Sequence, residues 1–340
     1  MDFNTFLSFF YSKQFLLAFF TTLSVATLLT WCILKSKRLN QFIDIPNQRS
    51  LHAIPIPRLG GLAIMSSVVF SVALYCSDLL YLLPFLLPLI ALSLLDDLIN
   101  VRPLIRLAIH FVTTFIFLYN LELQVNYLFF IILLFSIVWI INLYNFMDGS
   151  DGLVAGMSAI GFSCYAILSI IFGDLNFAIF NIIIITACIS FLFFNFPPAK
   201  IFMGDSGSIP LGFLCGALGV VGWYKLLWPL WFPLVIFSPF ILDTSATLIK
   251  RFIKKESLME AHRSHYYQRA ILAGYSHSQV ALFSYGLMIC LGIIGISAVI
   301  INTYEIMIII FILLFLSFVL LMRFIDIMWA KHLLKSIDNE

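Results

Sequence analysis

FIILLFSIVWIINLYNFMDGSDGL, Phe130 to Leu153, is hydrocarbon for most of its length and then turns polar within a few residues. A carboxylate at membrane depth is costly and normally faces a polar cavity. The run therefore reads as a membrane helix that ends where Asp148 and Asp151 begin. Asn142, Asn145, Asp148 and Asp151 recur every three residues. That spacing keeps them near one side of a helix or a tight helical turn. Gly149 and Gly152 then loosen the backbone. The result is a polar stripe leaving the end of a span and aimed at one place, an alignment that anchoring in lipid headgroups would not require.

The rest of the chain has the same character. Of 340 residues, 62% are hydrophobic and 11% charged, where a soluble globular protein is about half apolar and a quarter charged. So much apolar surface needs lipid as its solvent. Helical spans of roughly 20 apolar residues are expected at 14–34, 61–77, 79–95, 106–122, 126–143, 156–172, 177–195, 209–223, 227–248, 279–301 and 305–322, about eleven in all. The first is too long for a signal-peptide core and is expected to remain as an uncleaved span. If every span crosses, alternate loops share a side, and one side collects 17 of the 19 Lys and Arg, with only Lys13 and Lys225 opposite. By the positive-inside rule that side is cytoplasmic. The expected class is an all-α polytopic membrane protein, one domain over 1–340, with its chemistry at the cytoplasmic face. The six cysteines lie inside apolar runs without a CxxC pair and read as small hydrophobes.

Five acids stand at that face: Asp96, Asp97, Asp148, Asp151 and Asp205, with Asp243 as a sixth. A lone acid would be an ordinary charge at a helix end, but these come in clusters beside glycines with few basic neighbours. Adjacent carboxylates such as Asp96 and Asp97 repel unless a cation lies between them or one is protonated. Mg²⁺ takes one or two carboxylates, several waters and phosphate oxygens from a substrate, with Mn²⁺ as an alternative. Zinc fits poorly without cysteine in these loops. In FNFPPAKIFMGDSGS, Phe194 to Ser208, Lys200 precedes a small-residue loop entering a helix, whose free N–H groups suit phosphate. Asp205 there is placed to hold the metal.

Cations come from two further loops. DIPNQRSLHAIPIPRLGG, Asp44 to Gly61, carries Arg49, His52 and Arg58 among prolines that stiffen it. HRSHYYQR, His262 to Arg269, carries His262, Arg263 and His265, and on a helix the pairs His262/His265 and Tyr266/Arg269 would share a face. Phosphate or leaving-group contact is favoured over a zinc site for the histidines, since no third ligand is near in sequence. His110 is expected to be packed or interfacial, His277 and His332 solvated, and Lys250, Arg251, Lys254 and Lys255 to meet anionic lipid. A metal-loaded acidic pocket rimmed by Arg, Lys and His at a membrane face suits phosphoryl transfer between a cytosolic diphosphate and a lipid phosphate.

These stretches, with LLDDLINVRP and NLYNFMDGSDGLVAG, occur in the order found in the polyprenyl-phosphate N-acetylhexosaminyl-1-phosphate transferases, and nearly the whole chain resembles that family. The resemblance implies transfer of a sugar-1-phosphate from a UDP-N-acetylhexosamine to polyprenyl (undecaprenyl) phosphate, with UMP as the other product and Mg²⁺ required. It implies a metal-ligand role for Asp205 and, with it, Asp97. It also implies that Asp96 and Asp97 position or activate the lipid phosphate, that Asn145, Asp148 and Asp151 shape the nucleotide-sugar and metal pocket, and that His262 and His265 lie near the diphosphate. HRSHYYQR is more similar to the O-antigen and surface-polysaccharide branch than to the muramoyl-pentapeptide branch. DIPNQRSLH and YYQR lean toward deoxy-sugar donors such as UDP-N-acetylfucosamine. A bacterial inner-membrane location and contact with membrane lipids follow. A homodimer is left open and no nucleic-acid partner is implied. The sequence leaves open whether transfer takes one displacement or passes through a phospho-enzyme.

Two rival classes fit the sequence less well. An ion- or proton-coupled transporter would place acids near the midplane and show internal repeats, and neither is evident. An intramembrane aspartyl protease, suggested by Met203–Asp205, would leave the arginine and histidine loops without a purpose.

Overall fold

In lipid the backbone must satisfy its own hydrogen bonds, so apolar runs can cross only as helices or closed barrels. The structure is a computed structural model. It describes residues 9–36, 42–46, 51, 54–99, 101–257, 262–302 and 304–337, with only the backbone described at 304–308, 311 and 333–337. Arg49 and His52 lie outside the described residues. In chain order the helices are α1 Lys13–Lys35, α2 Gly60–Tyr75, α3 Leu83–Ile99, α4 Pro103–Asn120, α5 Tyr127–Met147, α6 Leu153–Ile171, α7 Leu175–Asn195, α8 Asp205–Tyr224, α9 Trp231–Ile236, α10 Ser238–Ile253, α11 Tyr266–Leu272, α12 His277–Ile301 and α13 Tyr304–Ile337. A 3₁₀ turn, Ser77–Leu82, leads into α3, and two-residue strands β1 Ile43–Asp44 and β2 Ile56–Pro57 pair antiparallel. The protein is an all-α polytopic membrane protein.

Among the described residues nine helical segments are long and apolar enough to cross a membrane. Two expected spans differ from this pattern. The span expected at 61–77 is the 16-residue helix α2, and the one expected at 227–248 is broken into α9 and α10. The break has a local cause: Pro239 stands in the first turn of α10, where its missing N–H costs nothing but denies the preceding helix a donor. The last expected span, 305–322, runs on to Ile337.

The bundle is organised round α8. Its apolar window is 94% buried, and those of α6 and α7 are 78% and 72% buried. It packs against α5, α3 and α2. Small residues permit this: a Cβ on Gly212 would lie 2.8 Å from the Ile141 Cα of α5, and backbones approach closely only where side chains are absent. At the other extreme the apolar window of α13 is 6% buried.

The start of α8 is fastened to the start of α2. Phe202 N–H donates to the Pro57 carbonyl at 2.7 Å, Gly60 N–H to Phe202 O at 2.9 Å and Gly61 N–H to Met203 O at 2.8 Å. A Cβ on Gly61 would lie 2.0 Å from the Gly207 nitrogen, and one on Gly204, itself at φ +71°, 2.5 Å from the Arg58 carbonyl. The glycines let two segments, 146 residues apart in sequence, lie backbone against backbone.

Candidate active site

This seam sets the acids and arginines together. Asp96 and Asp97 end α3, Arg106 lies in the first turn of α4, Asp148 caps α5, Arg58 precedes α2 and Asp205 begins α8. Arg106 Nη1 donates to Asp96 Oδ2 and, at 2.9 Å, to Asp205 Oδ2. Asp96 Oδ1 also accepts the Val101 N–H at 2.7 Å, which folds the turn between α3 and α4 back on the acid pair. Arg58 Nη2 donates to the Asp97 carbonyl at 2.9 Å, and its Nε lies 3.6 Å from Asp97 Oδ1. Asp97 is 8% exposed, and its Oδ2 is buried without a hydrogen-bond partner.

The three-residue stripe that opens the sequence reading runs along the loop before α8. Asn145 faces the Asp205 carboxyl. Asp148 lies beside the Gly204 backbone. Asp151 Oδ2 accepts the Ala199 N–H at 3.0 Å. The stripe and the 199–205 loop thus run side by side in opposite directions, hydrogen-bonded at the Ala199 end. Asn142 is not part of this: its side chain donates back to Val138 O within α5. Burial raises the Asp148 carboxyl well above its ordinary pKa, and the neighbouring Asp205 charge adds to the rise. Asp151 lies at the far end of the seam, where its N–H is 3.3 Å from His277 Nδ1 and its Oδ1 3.8 Å from the same atom. His277 is therefore not free in solvent, as expected from sequence, but braces Ser150 and Asp151.

The histidine segment approaches from the Asp148 side. His262 to Ser264 are non-helical and α11 starts only at Tyr266, so the two histidines do not share a helix face. Their rings still come together, with centroids 4.9 Å apart. His265, 2% exposed, stacks on Phe146 of α5 and has Nδ1 3.3 Å from Asp243 Oδ1, an approach not aligned as a hydrogen bond. Burial lowers the His262 pKa to about 4, and the adjoining His265, Arg251 and Arg269 act in the same direction, so the ring is neutral near pH 7. Tyr267 Oη donates to Phe146 O at 3.0 Å, beside Gly149. Asp243 turns out to be a cap: its two carboxylate oxygens accept the Tyr266 and Tyr267 N–H groups, each at 2.9 Å. Lys200 and Arg263 are exposed. Lys250, expected to meet lipid, is turned back onto Asp326 at 2.6 Å.

The sequence reading missed Arg106 as a site residue, treating it only as one more charge on the basic side. Its signal was its place, one turn into a helix whose preceding loop starts at the acid pair. Asn195 was missed as well. Its Oδ1 accepts the Gly152 N–H at 2.9 Å and its Nδ2 donates to Ile201 O at 2.8 Å, tying the stripe to the loop before α8.

Among the described residues no three His, Cys, Asp or Glu side chains already close round one metal-sized point. Mg²⁺ asks for less than such a cage, since it is held by one or two carboxylates plus water and phosphate oxygens. The donor set here is oxygen only, and the unpartnered Asp97 Oδ2 has no protein group to satisfy it, so these residues fit a hard divalent cation.

Comparison with known proteins agrees with this geometry. Residues 79–223 match the family described as Glycosyl transferase family 4, a segment that holds Asp96, Asp97, Arg106, Asp148 and Asp205. A Bacillus subtilis (strain 168) protein named probable undecaprenyl-phosphate N-acetylglucosaminyl 1-phosphate transferase is 33% identical over 265 residues, 72% of this chain and 73% of that protein. A phospho-N-acetylmuramoyl-pentapeptide-transferase of Listeria monocytogenes serotype 4b (strain CLIP80459) is 32% identical over 188 residues, 53% of this chain and 55% of that protein. The chain thus matches about half the length of that Listeria enzyme. With the acid crevice inside the matched segment and most of the Bacillus protein covered, the chain belongs to glycosyl transferase family 4, the polyprenyl-phosphate N-acetylhexosaminyl-1-phosphate transferases.

Proposed function

We propose that the protein transfers N-acetylhexosamine-1-phosphate from a UDP-sugar to polyprenyl phosphate, releasing UMP, from a crevice at the cytoplasmic face of a bacterial inner membrane. One observation carries the proposal: acids from α3, α5 and α8 and arginines from the loop before α2 and the first turn of α4 converge on one end of the bundle. Two phosphorylated substrates repel each other, and catalysis of their reaction is mostly positioning and charge neutralisation.

In the net reaction an oxygen of the lipid phosphate bonds to the phosphorus that carries the sugar. The bond from that phosphorus to the uridylyl oxygen breaks, and UMP leaves with the electron pair. Arg58 and Arg106 supply fixed positive charge beside the acids. Asp97 Oδ2 is the carboxylate oxygen left to meet a metal or a phosphate hydroxyl. Asn145, Asp148 and Asp151 hold the loop before α8 so that Asp205 faces Arg106. Bound Mg²⁺, held by Asp97 and Asp205, would neutralise the diphosphate and favour departure of UMP. The neutral His262 and the buried His265 would donate to the diphosphate oxygens, with Arg263 and Lys200 as exposed cations at the rim. The Bacillus relative's name favours an N-acetylglucosamine donor, while DIPNQRSLH and YYQR favour a deoxy sugar. A peptidoglycan-linked or O-antigen role would follow from the sugar found.

The test is UMP release by the purified protein with polyprenyl phosphate, a panel of UDP-sugars and either Mg²⁺, Mn²⁺ or a chelator. The expected result is release that needs both lipid phosphate and metal, and that falls at least ~10³-fold in Asp205→Asn with the melting temperature unchanged. Release that persists in the chelator, or without lipid phosphate, would sink the reading.

A further inference from the structure

The histidine segment leads into α11, and α11 is held in an uneven way. On its α10 side Asp243 caps it. On its α13 side lies a cavity of about 340 Å³, lined by Tyr266, Tyr267 and Ala270 of α11 and by Phe318, Leu321 and Ile325 of α13 among others. Where the cavity separates them, α11 and α13 do not pack directly on each other.

The polar contacts described between the two helices gather on one carboxylate. Arg269 Nη1 donates to Asp326 Oδ1 at 2.9 Å, Lys250 Nζ donates to Asp326 Oδ2 at 2.6 Å, and Tyr266 Oη lies 3.5 Å from that oxygen. Both cations also lie against the Tyr266 ring, Lys250 Nζ at 4.9 Å and Arg269 Cζ at 5.3 Å from its centroid. The carboxylate thus gathers α10, α11 and α13. It interrupts the apolar stretch RFIDIMWA of the least buried helix in the bundle, and an acid in such a place is costly without partners. α11 in turn reaches the crevice through Tyr267, which meets Phe146 O and borders Gly149, and through His265 stacked on Phe146.

We propose that Asp326 is a positioning residue for the transfer: its grip on Arg269, Tyr266 and Lys250 holds α11 at the cavity rim, and so sets His262 and His265 against the end of α5. This role rests on the reading of the histidines given under the proposed function. Asp326 touches no substrate and acts only through α11.

Hydrogen–deuterium exchange and steady-state kinetics on the full chain in lipid nanodiscs, comparing wild type, Asp326→Asn, Asp326→Glu and Lys250→Met, test it. In Asp326→Asn, amide exchange over 262–272 should quicken about ten-fold while 145–153 stays as in wild type. The kcat should fall about ten-fold, with the KM for polyprenyl phosphate moving less than about two-fold. Asp326→Glu should recover most of both, and Lys250→Met, which leaves the Arg269 pair, should show the same changes at smaller size. Unchanged exchange over 262–272 beside an active wild type overturns this role alone. Quickened exchange with an unchanged kcat overturns it too, since α11 would then be held for no catalytic end. A wild type inert toward every donor overturns the proposed function and this role together.

Discussion

Asp205 begins a 20-residue helix buried on nearly every side, whereas His265 precedes a seven-residue helix that borders a cavity. The two halves of one site are built differently. The acid half is fixed by backbone hydrogen bonds between loops and by glycines that leave no room for adjustment. The histidine half is fixed by side-chain carboxylates, Asp243 and Asp326, that reach it from neighbouring helices. Groups that stabilise developing charge work best when already in place, and a rigid seam gives that. A bulky nucleotide sugar needs room to enter and leave, and loosely packed elements commonly supply such motion. On the proposed function, charge stabilisation would fall to the buried half and substrate handling to the peripheral one.

Breaking the rigid half should cost most. Arg106 Nη1 bridges Asp96 and Asp205. Without it two carboxylates face each other with no cation from the protein between them. Arg106→Met should lower kcat about 10²- to 10³-fold. Arg106→Lys should recover only part, because an ammonium cannot reproduce the planar guanidinium fork. Steady-state UMP release for both variants checks this. A loss confined to KM would mean that Arg106 merely collects substrate and would move charge stabilisation elsewhere.

Arg106 also marks how far the sequence could be read. The acids Asp96, Asp97, Asp148 and Asp205 were legible because each stands in a short polar interruption of hydrocarbon, a contrast visible one stretch at a time. Arg58 was legible because prolines on both sides gave its loop a shape. Arg106 was not, since its second partner is 99 residues away and ordinary basic residues also stand at span ends. Asp243 was seen as an acid, but its use as a helix cap depends on a chain reversal 23 residues later. The break between α9 and α10 was masked by an apolar run long enough to cross. Hydropathy reports solvent, and Pro233 and Pro239 report backbone; in this segment the second signal governed. The His262/His265 spacing suggested a helix face, yet the rings meet because His265 is the residue before the helix and the chain there is extended.

Loosening the peripheral half should cost less and show elsewhere. Asp243→Asn keeps one acceptor oxygen for two N–H groups and should destabilise the first turn of α11 by about 1 kcal/mol, the usual size of a lost cap. Exchange over 262–272 should rise and kcat should fall about ten-fold, while the acid crevice keeps its affinity for divalent cations. Mn²⁺ affinity measured by electron paramagnetic resonance separates the halves. An equal change of Mn²⁺ affinity in Asp243→Asn and in Arg106→Met would show that the two halves are one cooperative unit.

The smallest effect is expected at the other end of the bundle. Lys225 pairs with Asp174 at 2.7 Å and sits 5.8 Å from the centre of the Phe177 ring, joining the end of α8 to the start of α7. It is one of only two basic residues that the sequence places opposite the rest. More than a third of its side chain is exposed, so the pair contributes at most about 1 kcal/mol, and less as salt is raised. If α8 carries rigidity to the crevice through its buried length and not through its far terminus, Lys225→Met should leave kcat and both KM values within about two-fold and lower the melting temperature by only a few degrees. A kcat loss as large as that of Arg106→Met would mean that the far end of α8 helps set Asp205, and the rigid half of the site would then extend along the whole helix.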